Sequence, residues 1–105
     1  MRLILFFDLP MNNKTEIRIY TKFRKFLISK GYLMMQYSVY SKIFANREAA
    51  INHVSILKKE VPSSGSIRIM LVTEKQYSNI EIISGGISVQ EKYTTIETFI
   101  KLWNY

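Results

Sequence analysis

The sequence predicts an α+β fold of β-α-β-β-α-β order, and three observations carry that prediction. A continuous apolar run, Leu3 to Phe7, opens the chain as a strand buried on both faces. Two stretches of helical periodicity, 14–30 and 47–60, flank a segment rich in aromatic and β-branched residues. Residues 66–73 then alternate with a period of two, as a half-buried strand does. With 105 residues, 48% of them hydrophobic and 22% charged, the chain reads as one globular domain over 1–105 without repeats or linkers.

Each element has a local reason. The first strand ends at Asp8-Leu9-Pro10, because proline stops it and leaves Asp8 at its C-terminal tip. Asn12 and Asn13 offer N-caps for the first helix, whose Tyr20, Phe23 and Leu27 share one face and whose end is marked by Gly31. Tyr32 to Phe44 reads as two short strands, about 32–36 and 38–43. Asn46 caps the second helix, whose buried stripe is Ala50, Val54, Leu57 and Val61, and Pro62-Ser63-Ser64-Gly65 ends it. In the following strand Ile67, Ile69, Leu71 and Thr73 lie on one face and Arg68, Met70 and Val72 on the other. A short strand at about 80–83 is expected before the Gly85-Gly86 turn. Residues 87–105 carry both helical spacing (Ile96, Phe99, Ile100, Trp103) and strand propensity (Thr94-Thr95-Ile96). This order is the split β-α-β signature of a ferredoxin-like fold, with two helices on one sheet face and the other face left for a partner, so a homodimer is expected.

Composition removes several functions. The absence of cysteine excludes disulfides, thiolate nucleophiles and cysteine metal sites, and fits a reducing cytoplasm. With one histidine, His53, and one aspartate, Asp8, a multi-imidazole zinc site within one chain is excluded, and any bound metal is expected to be an oxygen-loving one. The five apolar residues after Arg2 are too few for a signal-peptide core, and no run approaches membrane-spanning length. The reading is a cytoplasmic protein with no membrane partner.

Charge is distributed unevenly. The net charge of +7 lies wholly in residues 1–47, where nine Lys and Arg face only Asp8 and Glu16; residues 48–105 hold six of each sign. Lys14, Arg18, Lys22 and Lys25 recur at spacings of four, four and three, which makes a basic stripe along the first helix, with Arg24 beside it. The readings for the stripe are a solvated helix face, an acidic protein partner, or nucleic-acid phosphates. For Asp8 they are a cap on the turn Asp8-Leu9-Pro10-Met11 or a magnesium ligand, the latter needing substrate phosphates or a second Asp8 to complete it. His53 reads as an ordinary packed or surface histidine, with a proton-transfer or substrate role as the alternative, and Tyr32, Tyr37 and Tyr40 as core or interface residues rather than base-stacking ones.

Four ordered motifs carry a family resemblance: Leu3 through Pro10 (LILFFDLP), Lys22 through Leu27 (KFRKFL), Gly31-Tyr32 with Gln36 through Lys42 (QYSVYSK), and Val72 through Tyr77 (VTEKQY). Together they resemble the CRISPR-associated Cas-two proteins, in the form found in Cas-nine-containing systems, over residues 2 to about 77. The resemblance implies a ferredoxin-like homodimer that works with the Cas-one integrase to insert captured DNA into a CRISPR array. Family members are also described as metal-dependent endoribonucleases or deoxyribonucleases. On that assignment Asp8 is the catalytic residue and the ligand of Mg2+ or Mn2+, its two copies facing across the dimer near Ser38-Val39-Tyr40. The resemblance also makes Glu97 to Trp103 a C-terminal strand, and 87–105 a dimer or partner-binding extension. Double-stranded DNA is the implied ligand of Lys14, Arg18, Lys22, Arg24 and Lys25, with single-stranded RNA as a second candidate. The alternative is a non-catalytic basic ferredoxin-like domain that binds RNA or regulates.

Overall fold

The computed structural model describes residues 1–86, in the order β1 (Arg2–Asp8), α1 (Lys14–Ser29), β2 (Leu33–Gln36), β3 (Val39–Ile43), α2 (Arg47–Glu60), β4 (Ser66–Val72) and α3 (Glu74–Ser78). The strands form one sheet in the order β2-β3-β1-β4, with every adjacent pair antiparallel. This is the α+β, ferredoxin-like arrangement that the sequence predicts. The expected extension at 87–105 lies outside the described residues.

Strand β1 is central, so both of its faces are used. Leu3, Leu5 and Phe7 point into the core, where they join Phe23 and Leu27 of α1 and Ala50 and Leu57 of α2. The register sets Leu5 opposite Tyr40 of β3 and Ile69 of β4, so a single period-two alternation runs across the sheet. Helix α1 begins where Asn13 Oδ1 accepts from Glu16 N at 2.9 Å, while Glu16 Oε1 accepts from Asn12 N at 3.1 Å. Those bonds satisfy amides that a helix start otherwise leaves open. Asn46 does the same for α2, accepting from Ala49 N at 2.8 Å.

Two expectations need correction. The segment 80–83 is not a strand: although Ile80, Ile82 and Ile83 have strand propensity, no ladder is available to them among the described residues, and 80–82 runs without regular structure. The second correction is α3, which follows β4 directly and lies over one end of the sheet face opposite α1 and α2. Its Thr73-to-Gln76 capping box is complete, with Gln76 N donating to Thr73 Oγ1 at 3.0 Å and Thr73 N to Gln76 Oε1 at 2.9 Å. That face is therefore not wholly left for a partner. Arg2, Ile4, Ile43 and Val72 are buried on it, whereas Phe6 and Met70 remain exposed.

Candidate functional site

The tip of β1 is positioned by backbone contacts from two sides. Asp8 pairs with Ser66, and Gly65 crosses so closely that a Cβ there would lie 2.5 Å from the Asp8 carbonyl oxygen. Only glycine fits, and its φ of +85° is one that glycine adopts without strain. On the other side the β2–β3 hairpin is tied down by Phe7 N donating to Ser38 O at 3.1 Å. Ser38 itself has φ +63°, a left-handed conformation uncommon outside glycine, asparagine and aspartate.

Asp8, Ser38, Ser66 and Arg68 line a shallow depression of roughly 470 Å³ at this tip. Asp8 is exposed, and among the described residues its carboxylate takes part in no hydrogen bond or ion pair, so the turn-capping interaction is not made. Arg68 was not singled out from the sequence. Its signal was the alternation of β4, which puts it on the same sheet face as Asp8.

A hard divalent cation asks for oxygen donors. The Asp8 carboxylate and the Ser38 and Ser66 hydroxyls are of that kind, but among the described residues no three His, Asp or Glu side chains gather. These donors are of the type that magnesium or manganese takes, but one carboxylate and two hydroxyls on one chain leave most of the coordination shell to be supplied from outside it.

On α1 the four stripe cations lie on the outer surface. Phe23 and Leu27 face the core, while Lys14, Arg18, Lys22 and Lys25 are all exposed, and Arg18, Lys22 and Lys25 edge one surface depression. None of the four is in an ion pair among the described residues. Arg24 lies off the stripe, with Nε donating to the Tyr40 hydroxyl at 3.0 Å. Around it is a tyrosine cluster: Tyr20 stacks against Tyr37 at a 6.4 Å centroid separation, and the Tyr20 hydroxyl is pushed up to about 12 by burial and by its hydrogen bond with Tyr37. Tyr32 and Tyr40 are core residues as expected. Tyr37 is not, being 66% exposed at the hairpin tip.

His53 is a packed core histidine. Its Nε2 lies 2.8 Å from the Tyr32 hydroxyl, and its ring sits against Phe44 at 5.1 Å. Burial, then the charges of Lys42 and Lys30, lower its pKa from the ordinary value. Burial pushes the Tyr32 phenol up, so that hydroxyl stays protonated beside His53. Lys42 is lowered by its own burial and by Lys30.

With this geometry in place the comparisons are unambiguous. The family model for CRISPR associated protein Cas2 matches residues 1–80. The chain belongs to the Cas2 family. Similar proteins include one from Acidovorax ebreus, 45% identical over 88% of this chain and 90% of its own length. Another, from Treponema denticola, is 44% identical over 97% of this chain and 100% of its own. A third, from Campylobacter jejuni, is 38% identical over 99% of this chain and 72% of its own. Each carries the name CRISPR-associated endoribonuclease Cas2. The Cas2 match covers both the β1 tip and the whole of α1. No helix among the described residues is long and apolar enough to cross a membrane.

Proposed function

We propose that this Cas2 protein works as a homodimer in CRISPR adaptation, holding duplex DNA along α1 and acting as a scaffold for the Cas-one integrase. The observation that carries the reading is the outward row of Lys14, Arg18, Lys22 and Lys25, four exposed cations without an acidic partner among the described residues. A solvated helix face is normally laced with acids three or four residues away, whereas Glu16 is the only acid in α1. Four like charges in register track a phosphate backbone and read no sequence. Two copies of the row, one per protomer, give a longer track than one chain can.

A second reading, metal-dependent phosphodiester cleavage, is favoured by Asp8 and by the name its relatives bear. Asp8 would hold Mg2+ or Mn2+, with the Ser38 and Ser66 hydroxyls beside it. The bound ion would supply charge neutralisation at the scissile phosphate. Arg68 steers a phosphate into the depression by its charge, and the close crossing of Gly65 holds the Asp8 main chain in place.

Replacing Lys22 and Lys25 by Gln tests the first reading. Each lost phosphate contact is expected to flatten the slope of log affinity against log salt by about 0.9, and to weaken all duplex sequences alike. An unchanged slope would remove α1 from the interface.

A further inference from the structure

We propose that the Tyr37 ring is a stacking platform for one unpaired nucleobase, so that the tip beside Asp8 engages single-stranded rather than paired nucleic acid. The inference rests on the reading that this protein binds nucleic acid, and it names which strands the tip accepts.

Tyr37 is a large ring held in water, 66% exposed, whereas Tyr32 and Tyr40 of the same stretch are buried. It is also held in place. One face leans on Tyr20 with the rings inclined by only 25°, and the next residue, Ser38, is locked in a left-handed turn bonded to Phe7 N. Tyr20 is itself fixed against Phe7, at 5.6 Å between ring centroids. A rigid aromatic ring with a supported back loses little freedom when a base lands on it, and any base has a face to offer. Bases inside a duplex are already stacked on their neighbours and present only their edges.

The surroundings suit a strand rather than an isolated base. Arg24 lies one turn along α1 from Tyr20, exposed, with its Nε anchored on Tyr40, which restrains a guanidinium whose terminal N–H groups can meet a phosphate. Ser38, the residue after Tyr37, lines the Asp8 depression, so a strand with one base on Tyr37 would have its adjoining backbone near the tip. The platform is thus joined to a cation on one side and to the exposed carboxylate on the other.

The test uses the intact protein with ten-nucleotide oligouridine, oligothymidine and a duplex of equal length. Tyr37→Ala is expected to weaken both single strands roughly five- to a hundredfold while leaving the duplex within about twofold. Tyr37→Phe, which keeps the ring, should stay within about twofold of the parent on all three. Replacing the stacked nucleotide by an abasic one should weaken the parent but not Tyr37→Ala. Equal binding of single strands by parent and Tyr37→Ala overturns the platform, and so does a loss confined to RNA, because a base face does not report the 2′-hydroxyl. Single strands and duplex weakened together would make Tyr37 a general structural residue. A change of mass in light scattering would make it a contact between copies. Duplex binding that persists without any Tyr37 effect defeats this inference alone, whereas a parent protein that binds neither strand type defeats the functional reading as well.

Discussion

The two ends of β1 are built on opposite plans. At the first end the buried charge is matched: Arg2, only 1% exposed, forks onto Glu74 through Nε and Nη2 at 2.9 and 3.0 Å and lies 3.6 Å from the Tyr77 ring centroid, and beside it Phe44 N donates to Met1 O at 2.8 Å. Six residues later Asp8 stands exposed with no side-chain partner among the described residues, beside a serine in a left-handed turn and a tyrosine in water. A buried charge must be paired, while an exposed carboxylate need not be, so the first end holds the sheet and the second does not depend on its carboxylate to hold it. Substitutions of similar chemistry at the two ends should therefore have opposite signatures.

The largest expected effect is at the matched end. Glu74→Gln leaves the Arg2 guanidinium buried without its carboxylate. Breaking a buried pair from one side is strongly destabilising, and because the Glu74 side chain is 29% exposed the loss is set somewhat lower, on the order of 2–4 kcal/mol. Urea unfolding measures it. A loss below about 0.5 kcal/mol, the scale of ordinary surface changes, would erase the contrast between the ends.

A smaller loss is expected from Tyr32→Phe, which removes the hydrogen bond to His53 Nε2 and leaves that nitrogen buried without its partner, at about 1–2 kcal/mol. The same pair sets a pH dependence. His53 has a native pKa below its ordinary 6.5, so the unfolded chain takes up its proton first as pH falls. Stability from this group is therefore full above about pH 6.5 and declines below it. Lys42 and Lys30 are the charges that face it, and both oppose its protonation. His53→Gln is expected to flatten the decline in melting temperature between about pH 7 and pH 5.5. A decline of the same steepness in the variant would place the responsible group elsewhere.

Most of the matched end and half of the tip were legible in the sequence. Strand β1, both long helices and their Asn caps follow from apolar spacing and capping chemistry, which are local, and α2 occupies the expected 47–60. Helix α3 had a local signal too, the Thr73-to-Gln76 box, but five residues give too little periodicity to stand out against Val72 and the isoleucines after it. The burial of Arg2 had none, because its carboxylate lies 72 residues away and the pairing is made only by folding. At the tip, Asp8 could be placed because a proline follows it. The exposure of Tyr37 could not, since Tyr32, Tyr37 and Tyr40 share one aromatic stretch, and only the hairpin geometry decides which of the three turns outward.

The smallest effect on stability, and the sharpest test of the comparison, belongs to Asp8→Asn. The substitution keeps size and removes charge at an exposed position whose carboxylate has no partner among the described residues, so the unfolding free energy is expected to move by no more than about 0.5 kcal/mol. If Asp8 holds the metal for phosphodiester cleavage, magnesium-dependent hydrolysis of labelled RNA or DNA should vanish, because a neutral amide is a poor ligand for a hard cation. On the proposed scaffold reading, integration of new spacers with the Cas-one partner should survive, because the α1 cations proposed to hold duplex phosphates are untouched. A folded variant that still cleaves in magnesium would remove Asp8 from the catalytic role. A variant that unfolds as readily as Glu74→Gln would show that the tip, like the other end of the strand, is held by its charge.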